Sequence, residues 1–258
     1  MAKKWVKFPH ADKAYVYDGT SLKQHWARLH RGDCEPFPKE AGAVEAWRLY
    51  HAGNFEHAVE TAAKAGGAAI NAAIKAQSIY ANYLEKQEKA KLALFEEAAE
   101  WASERRTKAP KDANAHYLYA YALGRYSQGI SVAKALAQGF GGKIKDALTA
   151  AMKLAPSHAD AHTAYGAYQA EVINKVGGLV AGMTYGAKKE SALEHYQKAL
   201  KLNPDSAIAH IEYANGLILL FGKDKLDEAT KIYEQAARCK PADAMERLDV
   251  ELAKEELS

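Results

Sequence analysis

Little in this sequence points to chemistry. Only two cysteines occur in 258 residues, Cys34 and Cys239. They lie far apart and lack metal-like spacing, which excludes a disulfide framework and fits a reducing cytosol. The longest uncharged, glycine-containing run, Val176 to Ala187, has 12 residues, too few to span a bilayer. Met1 to His10 carries positive charge but no apolar core, and no cysteine follows an apolar leader, so neither a signal peptide nor a lipoprotein anchor is expected. A net charge of +3 is too small to argue for nucleic acid. The expectation is a soluble, cytoplasmic chain with no membrane insertion. Prolines are few, seven in all, and most sit between helical patterns. No long segment alternates with period two, so strand content should be near zero.

What is present is repetition. Pro110-Lys-Asp-Ala113-Asn-Ala115-His116-Tyr-Leu-Tyr119 is echoed by Pro156-Ser-His-Ala159-Asp-Ala161-His162-Thr-Ala-Tyr165, and again by Pro204-Asp-Ser-Ala207-Ile-Ala209-His210-Ile-Glu-Tyr213. Ala, Ala, His and Tyr fall three, five, six and nine residues after each proline, and the copies start 46 and 48 residues apart. Self-similarity on this scale indicates a solenoid of stacked helical units. Proline cannot continue a helix, so each copy begins where one has ended. Asp112, then Ser157, then Asp205 or Ser206 can cap the helix that follows. Upstream of the last two prolines lie stripes at spacings of three and four: Ala192, Tyr196, Ala199, Leu202, then Ala229, Tyr233, Ala236.

These stripes carry a family resemblance. Ala192-Leu-Glu-His-Tyr-Gln-Lys-Ala-Leu-Lys-Leu-Asn-Pro204 resembles the second helix of a tetratricopeptide (TPR) repeat, ending in that family's proline. Asp227 to Pro241 resembles another, and Gly53-Asn-Phe55-Glu-His-Ala58 resembles the family's inter-helix turn. The resemblance covers roughly residues 40 to 241. The family period is about 34 residues, whereas two units here carry about a dozen more, in glycine-rich inserts from Ser127 to Gly142 and Val176 to Gly186. Long, irregular repeats of this kind are similar to the regulator of microtubule dynamics family. The resemblance implies an all-α, right-handed α-solenoid of antiparallel helix pairs. Its expected divisions are an N-terminal arm and helix (1–38), a repeat domain (39–241) and a C-terminal capping helix (242–258).

Each candidate site has a plain structural alternative. His116, His162 and His210 share one repeat position. Equivalent residues of neighbouring repeats lie on the order of 10 Å apart, whereas zinc ligands sit about 2 Å from one ion. Packing is therefore the expected role of all three. His158 with His162, and His25, His30 and Cys34, form incomplete sets, so neither metal nor cofactor is expected. The inserts lack the Gly-Lys-Ser/Thr ending of a phosphate loop. They serve either as connectors or as projections that shape a pocket. The segment Ile130 to Ala137 can form one extra short helix.

The resemblance also implies a concave groove lined by the first helices of the repeats. By register, that surface comprises Asn114, Tyr117, Tyr121 and Arg125, then Asp160, Thr163, Ala167 and Glu171, then Ile208, Ile211, Asn215 and Leu219. The expected function is non-enzymatic binding of a protein or peptide segment there. The alternative is a pocket for a small molecule or lipid beside the inserts. The N-terminal arm or the C-terminal cap could also fill the groove.

Overall fold

The computed structural model describes residues 5–258. The helices are α1 (Gly19–Leu29), α2 (Ala41–His51), α3 (Phe55–Ala65), α4 (Ile70–Tyr83), α5 (Glu88–Lys108), α6 (Ala113–Gln128) and α7 (Val132–Ala137). They continue with α8 (Phe140–Leu154), α9 (Ala159–Val176), α10 (Gly178–Val180), α11 (Lys189–Leu202), α12 (Ala207–Phe221), α13 (Leu226–Arg238) and α14 (Ala244–Glu255). No strand occurs among the described residues. Five pairs stack in order: α2 with α3, α4 with α5, α6 with α8, α9 with α11, and α12 with α13. Helix α14 packs on α12 and α13 and ends the stack.

The repeated pattern has a local cause in each unit. Asp112 and Ser206 cap α6 and α12, accepting from Ala115 N and Ala209 N at 3.2 and 3.3 Å. The expectation that Ser157 caps the middle copy is corrected. His158 occupies the cap, and its Nδ1 accepts from Ala161 N at 3.1 Å. The repeated histidines tie each helix back to its own entry turn. His116 and His162 place Nε2 at 3.0 and 3.3 Å from the carbonyls of Pro110 and Pro156. His210 instead uses Nδ1, 2.8 Å from Ser206 O. The alanines let helices approach: Ala115, Ala161 and Ala209 are buried. Between units the Tyr196 ring is clamped by two helical glycines. A Cβ on Gly166 or Gly216 would lie 2.9 or 2.5 Å from it.

Trp5 stacks on Tyr80 with ring centroids 4.0 Å apart, and Phe8, Tyr15 and Tyr17 are buried, whereas Val6 and Val16 face solvent. The two ends of the chain then meet. Tyr17 Oη donates to Ala242 O at 2.7 Å. Arg28 grips Glu246 through two bonds of 2.6 and 2.9 Å. His51 Nδ1 lies 2.7 Å from Asp243 Oδ2. Seven Lys or Arg against two Asp in residues 1–31, and six acids against two bases in 242–258, read most simply as solvated ends. That reading is corrected where Arg28 meets Glu246: there the asymmetry forms a clasp.

Candidate functional site

The repeats line a half-open cavity of about 200 Å³, bordered by α4, α6, α8, α9, α12 and α14 and by both glycine-rich inserts. Its walls are mostly apolar and include Ile79, Leu118, Phe140, Ile144, Leu148, Tyr168 and Val172. Eight residues expected on the concave surface line it: Tyr117, Tyr121, Arg125, Asp160, Thr163, Ala167, Glu171 and Ile208. Tyr117, Tyr121 and Arg125 recur every four residues along α6, which places them on one stripe. The tyrosine rings are 6.2 Å apart, and the Arg125 guanidinium lies 5.4 Å from the Tyr121 ring. Glu212 of α12 anchors Arg125 at 2.8 Å. Burial works against the Arg125 cation, but Tyr121 and Glu212 hold it firmly charged.

Four residues of the expected surface lie elsewhere, Leu219 among them, packed against the cluster of Ala170, Ile173 and Leu220. Asn114 is buried one turn below, where it accepts from His158 Nε2 at 3.0 Å and donates to Glu35 Oε2 at 2.7 Å. Ile211 is core, packed with Val250 and Ala253 of α14. Asn215 accepts a short hydrogen bond from Tyr233 Oη. Along α12, Ile208 and Glu212 reach the cavity, whereas Ile211 packs with α14 and Asn215 is held by Tyr233 of α13. Tyr117 is only 8% exposed, whereas Tyr121 is partly buried, so the aromatic pair sits at the wall of the half-open cavity.

Beneath the cavity lies a polar cluster that the sequence reading missed. The turn from His30 to Glu35 folds under the array, and Asp160 N donates to Gly32 O at 3.0 Å. A Cβ on Gly32 would lie 2.3 Å from Asp160 Oδ1, so any side chain there would have to push the carboxyl group aside. Lys75 of α4 donates a short bond to Asp33. Burial alone would raise the Asp33 carboxyl, but His30 and Lys75 hold it well below the usual carboxylate range. His30 Nδ1 is 2.8 Å from Asp33 Oδ1, and its Nε2 is 3.2 Å from Nε2 of His51. Burial pushes His30 down to about 4 in spite of Asp33. The line Asp33–His30–His51–Asp243 therefore joins the N-terminal turn to the C-terminal helix.

Three more carboxyls sit in or near this region with displaced ionisation. Burial and the neighbouring Asp33 and Asp112 raise Glu35 to about 8, although Asn71 donates to it. Burial raises Asp249 of α14 to about 8 against the hydrogen bond from Tyr83. Burial raises Asp160 to about 6, opposed by Lys75. The cations around the cavity already have partners: Lys75 with Asp33, Arg125 with Glu212, and Lys175 with Glu171 at 3.3 Å. The lining is thus near electrical neutrality at pH 7. No group of three or more His, Cys, Asp or Glu among the described residues is arranged to hold a metal ion. Cys34, at the turn, is exposed and adopts a φ of +53°.

One signal for the cluster was legible. Lys75 lies within Ala72-Ala-Ile-Lys-Ala76, and the helix around it is buried from Asn71 to Ala81. A charged residue in a helix apolar on all sides has to find a partner indoors. Asp33 and Asp243 carried no such mark.

The fold, then, is a TPR-like α-solenoid whose ends close over its own concave side. A model of the regulator of microtubule dynamics protein 1-3 family matches residues 58–258, and the chain belongs to that family. Among solved structures it is similar to a thermophilic TPR protein from Thermus thermophilus. That likeness has a TM-score of 0.57 and 17% identity over 83% of this chain and 97% of the other. No curated protein matches. No helix among the described residues is long and apolar enough to cross a membrane.

Proposed function

We propose that this protein is a non-enzymatic binding module whose ligand is a neutral apolar or amphipathic small molecule held in the concave cavity. TPR-like folds are generally non-enzymatic interaction scaffolds, and the family and fold together suggest that broad class. The observation that carries the finer reading is the cavity itself: apolar walls, a few convergent polar groups, and cations already neutralised by partners. Such a lining suits a ligand that is mostly apolar with one polar end. An anionic group buried there would find each cation already engaged.

A protein segment lying along the concave face is the second reading. It is supported by the stripe of Tyr117, Tyr121 and Arg125, since aromatic and arginine side chains carry much of the energy at interfaces. Against it stands the position of α14, whose Met245 and Asp249 border the same space.

The test uses the full-length protein. Organic extraction and mass spectrometry identify any apolar compound that co-purifies, and a fluorescent long-chain probe measures occupancy. Ala167→Trp, which places an indole in the cavity, should abolish probe binding while leaving the melting temperature close to that of the parent. Unchanged probe binding in that variant, or none in the parent, refutes the reading.

A further inference from the structure

The two inserts that border the cavity also form its most apolar exposed surface. Met183 and Leu179 are 81% and 78% exposed, more than any other large apolar side chain among the described residues. Val180, Leu136 and Val132 are also exposed. No residue of α7 or α10 is buried, and the π-helical turn Ala181–Tyr185 that follows α10 buries Ala181 alone. Large side chains held in water by short, ordered turns gain nothing from folding. The two inserts touch: a Cβ on Gly141 would lie 2.7 Å from the Tyr185 ring.

Charge singles out the same region. Residues 127–145 contain Lys134, Lys143 and Lys145 and no acid, and residues 172–189 contain Lys175, Lys188 and Lys189 and no acid. The chain as a whole holds 35 bases against 32 acids, so two acid-free stretches at one site are a local departure. Lys175 has its partner in Glu171, one turn back, and Asp146 and Glu190 flank the stretches. Lys134, Lys143 and Lys188 remain exposed around the apolar tips.

We infer that the paired inserts dock on an anionic lipid surface, with Leu179 and Met183 entering the headgroup layer and the lysines meeting the anionic headgroups. Exposed apolar tips on two stretches that carry lysines and no acid match the composition of interfacial membrane anchors. A protein partner of this charge would need an acidic surface around an apolar pit, and nothing here selects one. The two proposals can fail separately: vesicle binding tests the inserts, and probe occupancy tests the cavity.

The experiment is co-sedimentation of the full chain with phosphatidylcholine vesicles and with vesicles that also contain phosphatidylserine. Binding to the anionic vesicles is expected, with little to the neutral ones, and added salt should weaken it. Leu179→Asp with Met183→Asp should lower the partition coefficient tenfold or more, on the order of what burying two such side chains is worth. Lys143→Gln with Lys188→Gln should lower it by roughly 25-fold, about 5-fold for each lysine lost. All four positions are exposed, so melting temperatures should match the parent; a variant that melts early is replaced by Leu136→Asp. The proposal is overturned by equal binding to neutral vesicles, by full binding of either double variant, or by absence of vesicle binding. Capture of an acidic protein without vesicle binding overturns it as well.

Discussion

Raising the pH from 6.5 to 8.5 should destabilise this protein, and the cause lies in two buried carboxyls. Glu35 is 7% exposed and Asp249 is 2% exposed, and burial lifts both to about 8 in the folded chain. In the unfolded chain each titrates near the ordinary carboxyl range, about 4. Between those values the folded state holds a proton that the unfolded state has released. A raised folded pKa stabilises the fold most at low pH, and that contribution is lost as pH climbs toward the folded value. Each such proton changes stability by about 1.4 kcal/mol per pH unit, so near pH 7 the two together give a slope approaching 3 kcal/mol per unit. Above pH 8 the slope fades as the folded state also ionises. The buried histidines act in the opposite sense and lower down. Burial depresses His30 and His158 to about 4, so their contribution is lost as pH falls from about 6.5 toward 4. Urea unfolding at pH 6.5, 7.5 and 8.5 and constant ionic strength is the assay. Asp249→Asn keeps an oxygen to accept from Tyr83 and should remove about half the slope, and Glu35→Gln much of the rest. A stability that is flat or rising across this window would refute the reasoning.

Other perturbations follow from single contacts. Gly216→Ala puts a methyl 2.5 Å from the Tyr196 ring. It should cost about 1–3 kcal/mol through overpacking, against about 1 kcal/mol gained in helix propensity; a melting temperature at or above the parent's would show that the ring yields freely. Gly32→Ala sets a Cβ against Asp160 and should open the turn beneath the cavity, seen as faster amide exchange at residues 30–35. Arg28→Ala leaves Glu246 without its guanidinium and should speed amide exchange in α14 before global unfolding; unchanged exchange there would mean the clasp adds nothing. Tyr117→Ala should lower stability by about 3 kcal/mol or more as a core truncation, whereas Tyr121→Phe should leave the melting temperature nearly unchanged.

How much of this could be read from the chain divides along one physical line. Where a residue's role is set by its neighbours within a helix pair, the sequence carries it. The prolines, the alanines and the Ile130–Ala137 segment found their places in α6, α9, α12 and α7 because capping and helical period are local rules. The histidine spacing pointed to packing for the same reason. Where a role is set by contacts across some two hundred residues, no local rule applies. Asp243 reads as a cap for α14, and it is one, accepting from Glu246 N at 2.8 Å. Its second task, holding His51, leaves no trace in spacing. Asn114, Ile211 and Asn215 were placed by repeat register alone, which carries no trace of the N-terminal turn that holds Asn114, of α14 packed on Ile211, or of Tyr233 bonded to Asn215.

That line also explains why the cavity exists. A regular stack of helix pairs presents an open concave surface, because each unit contacts only its neighbours. Here three departures from regularity converge on that surface. The N-terminal turn brings Asp33 and Glu35 beneath it, α14 brings Met245 and Asp249 to one side, and the long connections bring Val132, Leu136 and Tyr185 to the other. Each carries a cost that makes sense only if the half-open space is used: buried carboxyls at the floor, and apolar side chains left in water at the rim. A purely structural closure would be served better by apolar residues at Asp160 and Asp249 and polar ones at Leu179 and Met183. The repeats supply the walls, and the irregular segments supply the floor, the side and the mouth. Function in this chain should therefore be sought in the segments that depart from the repeat, with α6 and α9 as the frame that holds them in place.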